Sequence, residues 1–168
     1  MKSLKLLGAT ATACLLVGVS NAVIAQVNTC EDGSIWKAVV NEIEVHGRSC
    51  DIRDVLVHGN ITTTGGQTIS LTSSHVGGDV NISGADNAIV KDNILFAGVL
   101  RVNENGIAII EDNITAKGSE HPEGVMEFKR NQNAIVRWNT AGRSIDCKNN
   151  KELEAIGNVA NGENRCSP

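Results

Sequence analysis

The chain has 168 residues and a formal net charge of −4, with 19 Asp and Glu against 15 Lys and Arg. That length is one domain able to bury a core, and an acidic balance without a basic run disfavours binding to nucleic-acid phosphates. Two Trp, two Phe and no Tyr argue against a long glycan groove paved with aromatics.

Residues 1–25 read as a secretory signal peptide: Lys2 and Lys5, an apolar stretch broken by Thr10, Thr12, Ser20 and Asn21, then Val-Ile-Ala before a cut after Ala25. The stretch is short for a membrane span, and Cys14 lies inside it, the wrong place for a lipidated first residue. No span remains after cleavage, and the chain is expected to be secreted or periplasmic. Losing Lys2 and Lys5 moves the charge to −6, 13 Lys and Arg against 19 Asp and Glu.

The mature chain keeps Cys30, Cys50, Cys147 and Cys166. An even count in an exported protein indicates two disulfides. Of the three pairings, the spacings favour Cys30–Cys50 and Cys147–Cys166, one staple near each end. A metal site is not indicated: there is no Cys-x-x-Cys, and His46, His58, His75 and His121 form no close pair. Residues 26–56 read as an N-terminal cap and first coil. Trp36, Ala38, Val39, Val40, Ile43 and Val45 supply its apolar content, part of it in a short amphipathic helix.

Residues 57–160 repeat. Aligned on Asn93, Asn113, Asn139 and Asn158, with Ser74 one coil earlier, the spacings are 19, 20, 26 and 19. Five and three residues before each lie small or apolar residues: Ile69 and Leu71, Ala88 and Val90, Ala108 and Ile110, Ala134 and Val136, Leu153 and Ala155. A strand with the same alternation precedes each, with Ile61 and Thr63, Val80 and Ile82, Leu100 and Val102, Met126 and Phe128, Ile145 and Cys147 inward. Polar turns such as GADN (84–87) and ENG (104–106) join the two, and Gly-rich corners such as HGN (58–60) and GGD (77–79) precede the first. Two short strands per repeat without helical periodicity mean a solenoid. The fold expected is all-β, a right-handed parallel β-helix of about five to six coils with capped, disulfide-stapled ends. The long spacing is an insertion at AKGSEHPEG (116–124), extruded from one corner and containing Pro122. Residues 161–168 close the C-terminal end.

NTAGRSIDCKNN (139–150), GNVANGENRC (157–166), VHGNITTTGG (57–66) and VGGDVNISG (76–84) resemble the repeats of a family of small secreted bacterial β-helix proteins, which read roughly Gly-Asn-x-x-Val-x-Gly-Asn and end in a Cys pair. The resemblance covers about residues 48–166 and implies fold and export, not an activity. The 116–124 insertion and the long 26–48 region depart from the pattern.

Larger right-handed β-helix proteins include polysaccharide lyases, so the outward columns were searched for chemistry. Arg101, Glu127 and Asp146 are the candidates for an eliminating base beside acids that hold Ca²⁺. Lys91, Glu111 and Arg137 alternate in charge on consecutive rungs, as a binding surface or as cross-strand ion pairs. Asp92 and Asp112 stack one residue before the ladder Asn, where they hold Ca²⁺ or bond the corner backbone. Trp138 replaces them on the next rung, as a contact platform or packed against the insertion. Ile89, Ile109 and Ile135 form an outward ridge that wants cover, from the chain itself, a second copy or another protein. The Thr62, Thr64, Thr68 and Thr72 cluster is not continued on later rungs, which excludes an ice-binding face. No catalytic triad or phosphate loop is readable, and no cofactor is implied. The reading is an exported non-enzymatic binding or structural module with a protein or glycan partner. The alternative is a small polysaccharide-binding or polysaccharide-cleaving protein. Asn93, Asn113, Asn139 and Asn158 are assigned to structure, as a ladder of stacked amides; Asn105, Asn131 and Asn150 form a second.

Overall fold

The computed structural model describes residues 27–117 and 124–166. Residues 1–26, which include the segment expected to be a signal peptide, the 118–123 part of the insertion with His121 and Pro122, and residues 167–168 lie outside the described residues. Among the described residues every regular element is a strand, and no helix is long and apolar enough to cross a membrane.

The chain is an all-β parallel solenoid of about seven turns. Its first sheet has eight strands, from Val27–Cys30 to Asn164–Arg165, and its second has seven, from Gly33–Trp36 to Glu152–Ile156. A third sheet has seven two-residue strands, from Val39–Val40 to Val159–Ala160. One full turn is Ile61–Thr64, Thr68–Thr72 and His75–Val76. Every pairing is parallel and joins equivalent residues of successive coils, as in Ala88 with Ala108 and Ala108 with Ala134.

Two expectations are corrected. Each turn has three strands, not two, so the cross-section has three faces. The short helix expected within 26–50 is replaced by strands Val27–Cys30, Gly33–Trp36, Val39–Val40 and Glu42–Val45. The reason is visible in Glu42–Val45: Ile43 and Val45 are buried while Glu42 and Glu44 face out, a period of two that a helix cannot use. That segment pairs in register with the Ile61–Thr64 strand, which makes it part of the solenoid.

The core is a set of stacked columns. Ile43, Ile61, Val80, Leu100, Met126 and Ile145 form one of them, each fully buried. Parallel strands at about 4.8 Å spacing put each side chain directly on the next, so apolar area is buried along the axis as well as across it. Thr63 and Thr115 occupy inward positions with hydroxyls that find no partner, a local cost of about 1–3 kcal/mol each.

The corners between the sheets solve a backbone problem. Between the second and third sheets, Lys37, Asp54, Ser73, Asp92, Asp112 and Trp138 all have φ between 49° and 57°. The next residue is Ser74, Asn93, Asn113 or Asn139 in the later coils, and each is buried. The Asn93 backbone N–H donates to Asn113 Oδ1 (3.2 Å), and the Asn93 amide donates to the same oxygen (2.9 Å) and to the Leu71 carbonyl (2.9 Å). Asn113 repeats this on Asn139, and Asn139 on Asn158. The second ladder runs Asn105, Asn131, Asn150 at the other corner of the second sheet. A turn that leaves the sheet exposes backbone groups to no strand partner, and the stacked amides satisfy them.

Both disulfides form as the spacings favour, Cys30–Cys50 and Cys147–Cys166. Each joins successive coils near one end, and such bonds place the chain in an oxidising, extracytoplasmic setting.

Candidate functional site

Each sheet presents one outer face, and the three differ in chemistry. The outward column of the first sheet runs Glu44, Thr62, Asn81, Arg101, Glu127, Asp146 and Arg165. The structure thus brings Arg101, Glu127 and Asp146 onto adjacent rungs. Arg101 donates from Nε to Glu127 Oε2 (3.1 Å) and from one terminal nitrogen to Asp79 Oδ2 and Asn81 Oδ1, both at 3.2 Å. Lys129, which the sequence reading passed over, bridges Glu127 and Asp146 at 3.1 Å each. Burial lowers the Lys129 pKa, but hydrogen bonds and charge from Glu127 and Asp146 outweigh it, so the pKa is raised above the ordinary lysine value. Each charged side chain of the cluster thus has an ion-pair partner, while Asp146 Oδ1 is buried without a hydrogen bond.

That direction sets a pH dependence. A lysine raised on folding stabilises the protein fully below its unfolded value, about 10.4, and loses this as pH rises through the folded value. Lys129→Met is expected to lower the urea midpoint at pH 8, and the gap to wild type is expected to close above about pH 10.4 as Lys129 itself deprotonates. A gap that stays constant from pH 8 to 11 would assign Lys129 a packing role alone.

The second sheet has three outward columns. Ile89, Ile109 and Ile135 are the middle one, continued by Ser70 before and Glu154 after. All three Ile are half-buried, because columns flank them on both sides. One flank is the ion-pair ladder: Lys91 Nζ lies 2.8 Å from Glu111 Oε2, and Arg137 reaches Glu111 at 3.5 Å and Glu154 at 2.5 Å. The Ile ridge receives part of its cover from its own neighbours. The described ends of the insertion, Ala116 to Lys117 and Gly124, leave from the corner between the third and first sheets, which is opposite this face.

The third sheet is two residues wide, so it has a single outward column and nothing beside it. That column is Val39, Leu56, His75, Ile94, Ile114, Thr140 and Val159, one residue per turn in unbroken register. Val39 is 68% exposed, Val159 56% and Ile114 45%. Phe96, 53% exposed, stacks on His75 with ring centroids 5.8 Å apart. A shallow depression of about 620 Å³ lies against Val39, Leu56, His75 and Phe96, edged by Lys37, Asp54 and Ser73. This stripe is a continuous, mostly apolar column that runs through all seven turns, and the sequence reading missed it. A signal was present: each stripe residue follows immediately after a corner residue, as Ile94 follows Asn93, Ile114 follows Asn113 and Val159 follows Asn158.

Trp138 stands at the edge of the stripe. Its backbone is left-handed, φ 52°, a conformation that Gly, Asn and Asp tolerate and a bulky residue adopts at a cost. The indole lies over Gly157, where an added Cβ would meet Trp138 Cδ1 at 2.5 Å. Trp138 is therefore packed on the next rung, not on the described ends of the insertion. Asp92 and Asp112 hold the equivalent corner positions, each donating its backbone N–H to the carbonyl of the next rung, Glu111 and Arg137. At the N-terminal end Trp36 donates to Asp54 Oδ2 (3.2 Å), with Lys37 Nζ 4.4 Å from the Trp36 ring centroid. Among the described residues no cluster of three or more His, Cys, Asp and Glu side chains is placed to hold a metal ion. No family model matches the chain, and neither a curated protein nor a solved structure matches it.

Proposed function

We propose that the chain is an exported, non-enzymatic β-solenoid, secreted or periplasmic, that acts as a binding or structural module with the outer face of its third sheet as the working surface. The observation that carries this is the stripe itself: one column, apolar at most rungs, solvent-facing over seven turns. Exposed apolar surface of that continuity is characteristic of association sites. The charged columns support the same reading, because Arg101 is paired with Asp79 and Glu127, and Lys129 is paired with Glu127 and Asp146. A general base needs a free lone pair aimed at substrate. The disulfides fit export, as do the basic and apolar residues of 1–25. The Gly-Asn repeats and C-terminal Cys pair favour kinship with the small secreted β-helix proteins that they resemble, and the parallel crossover rule makes the solenoid right-handed.

The test is a cleavage screen of the purified protein on acidic and neutral polysaccharides, with Ca²⁺ and with chelator. The expected result is no new chain ends with either. Ca²⁺-dependent cleavage that Arg101→Ala abolishes would replace this function with a lyase-like one.

A further inference from the structure

We infer that the third-sheet stripe is the interface of a parallel, in-register homodimer, its two-fold axis running along the stripe. This rests on the stripe being the working surface and names its occupant as a second copy of the chain. The argument is one of charge complementarity between its two edges. The edge toward the second sheet carries Asp54, Asp92 and Asp112, all exposed, with the exposed Lys37 on its first rung. The edge toward the first sheet carries His58, Lys117 and the half-buried Arg143.

Two stripes aligned along their full length can meet face to face by a two-fold axis in two ways. An axis across the middle rung of the stripe is antiparallel and lays this edge on itself, with Asp92 opposite Asp92. Like charges facing each other oppose association. An axis along the stripe lays each acidic edge on the other copy's basic edge, every rung facing its equivalent. Asp54 then faces His58 of the second copy, and Asp112 faces Ala116 and Lys117. Trp138 faces the rung of Gly142, with the half-buried Arg143 next to it as a cation–π partner.

The closed symmetry also fixes the register, since any slip along the axis would produce an open filament instead of a dimer. Seven rungs at about 4.8 Å give a stripe roughly 29 Å long, and with both edges it is about 15 Å wide. That is on the order of 900 Å² for the pair of surfaces, below the roughly 1,000 Å² of a stable specific interface, so a weak, transient dimer is expected.

Sedimentation velocity of the purified protein from about 1 to 100 μM tests this. Wild type is expected to shift from monomer to dimer over that range. Ile114→Lys is expected to stay monomeric at an unchanged melting temperature. Asp112→Lys alone is expected to weaken the dimer about tenfold, and Asp112→Lys with Lys117→Asp to restore it. Under mild oxidation His75→Cys is expected to yield a cross-linked dimer, because His75 faces its own equivalent only in the parallel arrangement. A monomer throughout, a dimer indifferent to Ile114→Lys, or failure of the double charge exchange to restore association would each overturn the inference. None of these outcomes depends on the polysaccharide screen, so a monomer with no cleavage would remove the dimer and leave the binding-module reading standing.

Discussion

Asn113→Ala is expected to destabilise the protein by about 3–5 kcal/mol, the scale reserved for breaking a buried hydrogen-bond network. Asn113 is completely buried. Its Oδ1 accepts from the Asn93 backbone N–H and amide, and its Nδ2 donates to Val90 O, Glu111 O and Asn139 Oδ1 at 2.9, 2.9 and 3.0 Å. Truncation removes these at once and strands two donors on Asn93, its backbone N–H and one amide N–H, where water does not reach. Asn113→Asp keeps the shape and is expected to cost at least as much. A carboxylate has no N–H to give, and it would face two carbonyls and the Asn139 oxygen. Asn87→Ala is the control. Asn87 is half-buried on the outward face, and its one side-chain bond, to Gln67 O, is 3.4 Å long; its loss is expected to cost under about 1 kcal/mol. Urea unfolding monitored by circular dichroism measures all three. Equal costs for Asn113→Ala and Asn87→Ala would show that the corner amides do not hold the coils together.

The second large effect is at the C-terminal end. Replacing Cys147 and Cys166 together by Ser is expected to lower stability by about 3 kcal/mol on the loop-entropy model, with the loss concentrated in the last two turns. Asn164–Arg165 is a two-residue strand whose ladder partners are Ile145 and Asp146, and the Cys166 bond to the inward-facing Cys147 is the covalent tie on this end. Beneath it, Ile145 is fully buried. Amide hydrogen exchange is expected to accelerate across 144–166 and to stay near wild type across 61–111, because each turn of a solenoid contacts only its neighbours. Uniform acceleration along the chain would instead mean that the staple acts on the whole fold.

Much of the solenoid was legible because its signals are strong and local. Alternation at Ala88 and Val90 or Val80 and Ile82 has a period that only a strand explains, and buried Asn at fixed spacing has few uses other than stacking. Both disulfides followed from spacing alone. What was not legible has one physical origin: a two-residue strand contains no alternation. Val39–Val40, Ile94–Leu95 and their equivalents therefore read as corner residues, and with them the third face and its apolar stripe went unseen. The same short period hid the strands between Val27 and Val45, whose mixed Glu, Ile and Val pattern passed for a helical cap. The candidate columns were placed correctly in register, yet register alone says nothing about who pairs with whom. Lys129 lies two residues beyond Glu127, outside the paired columns, and its bridge to Asp146 needed coordinates.

The account makes one surface central, and hydroxyl-radical footprinting across a dilution series tests it most directly. Between about 1 and 100 μM, Ile94, Phe96, Ile114 and Trp138 are expected to lose reactivity together, while Ile107 and Leu153, exposed elsewhere, keep theirs. Constant reactivity along the stripe, with protection appearing instead at Ile89, Ile109 and Ile135, would contradict the account and move the working surface to the second sheet.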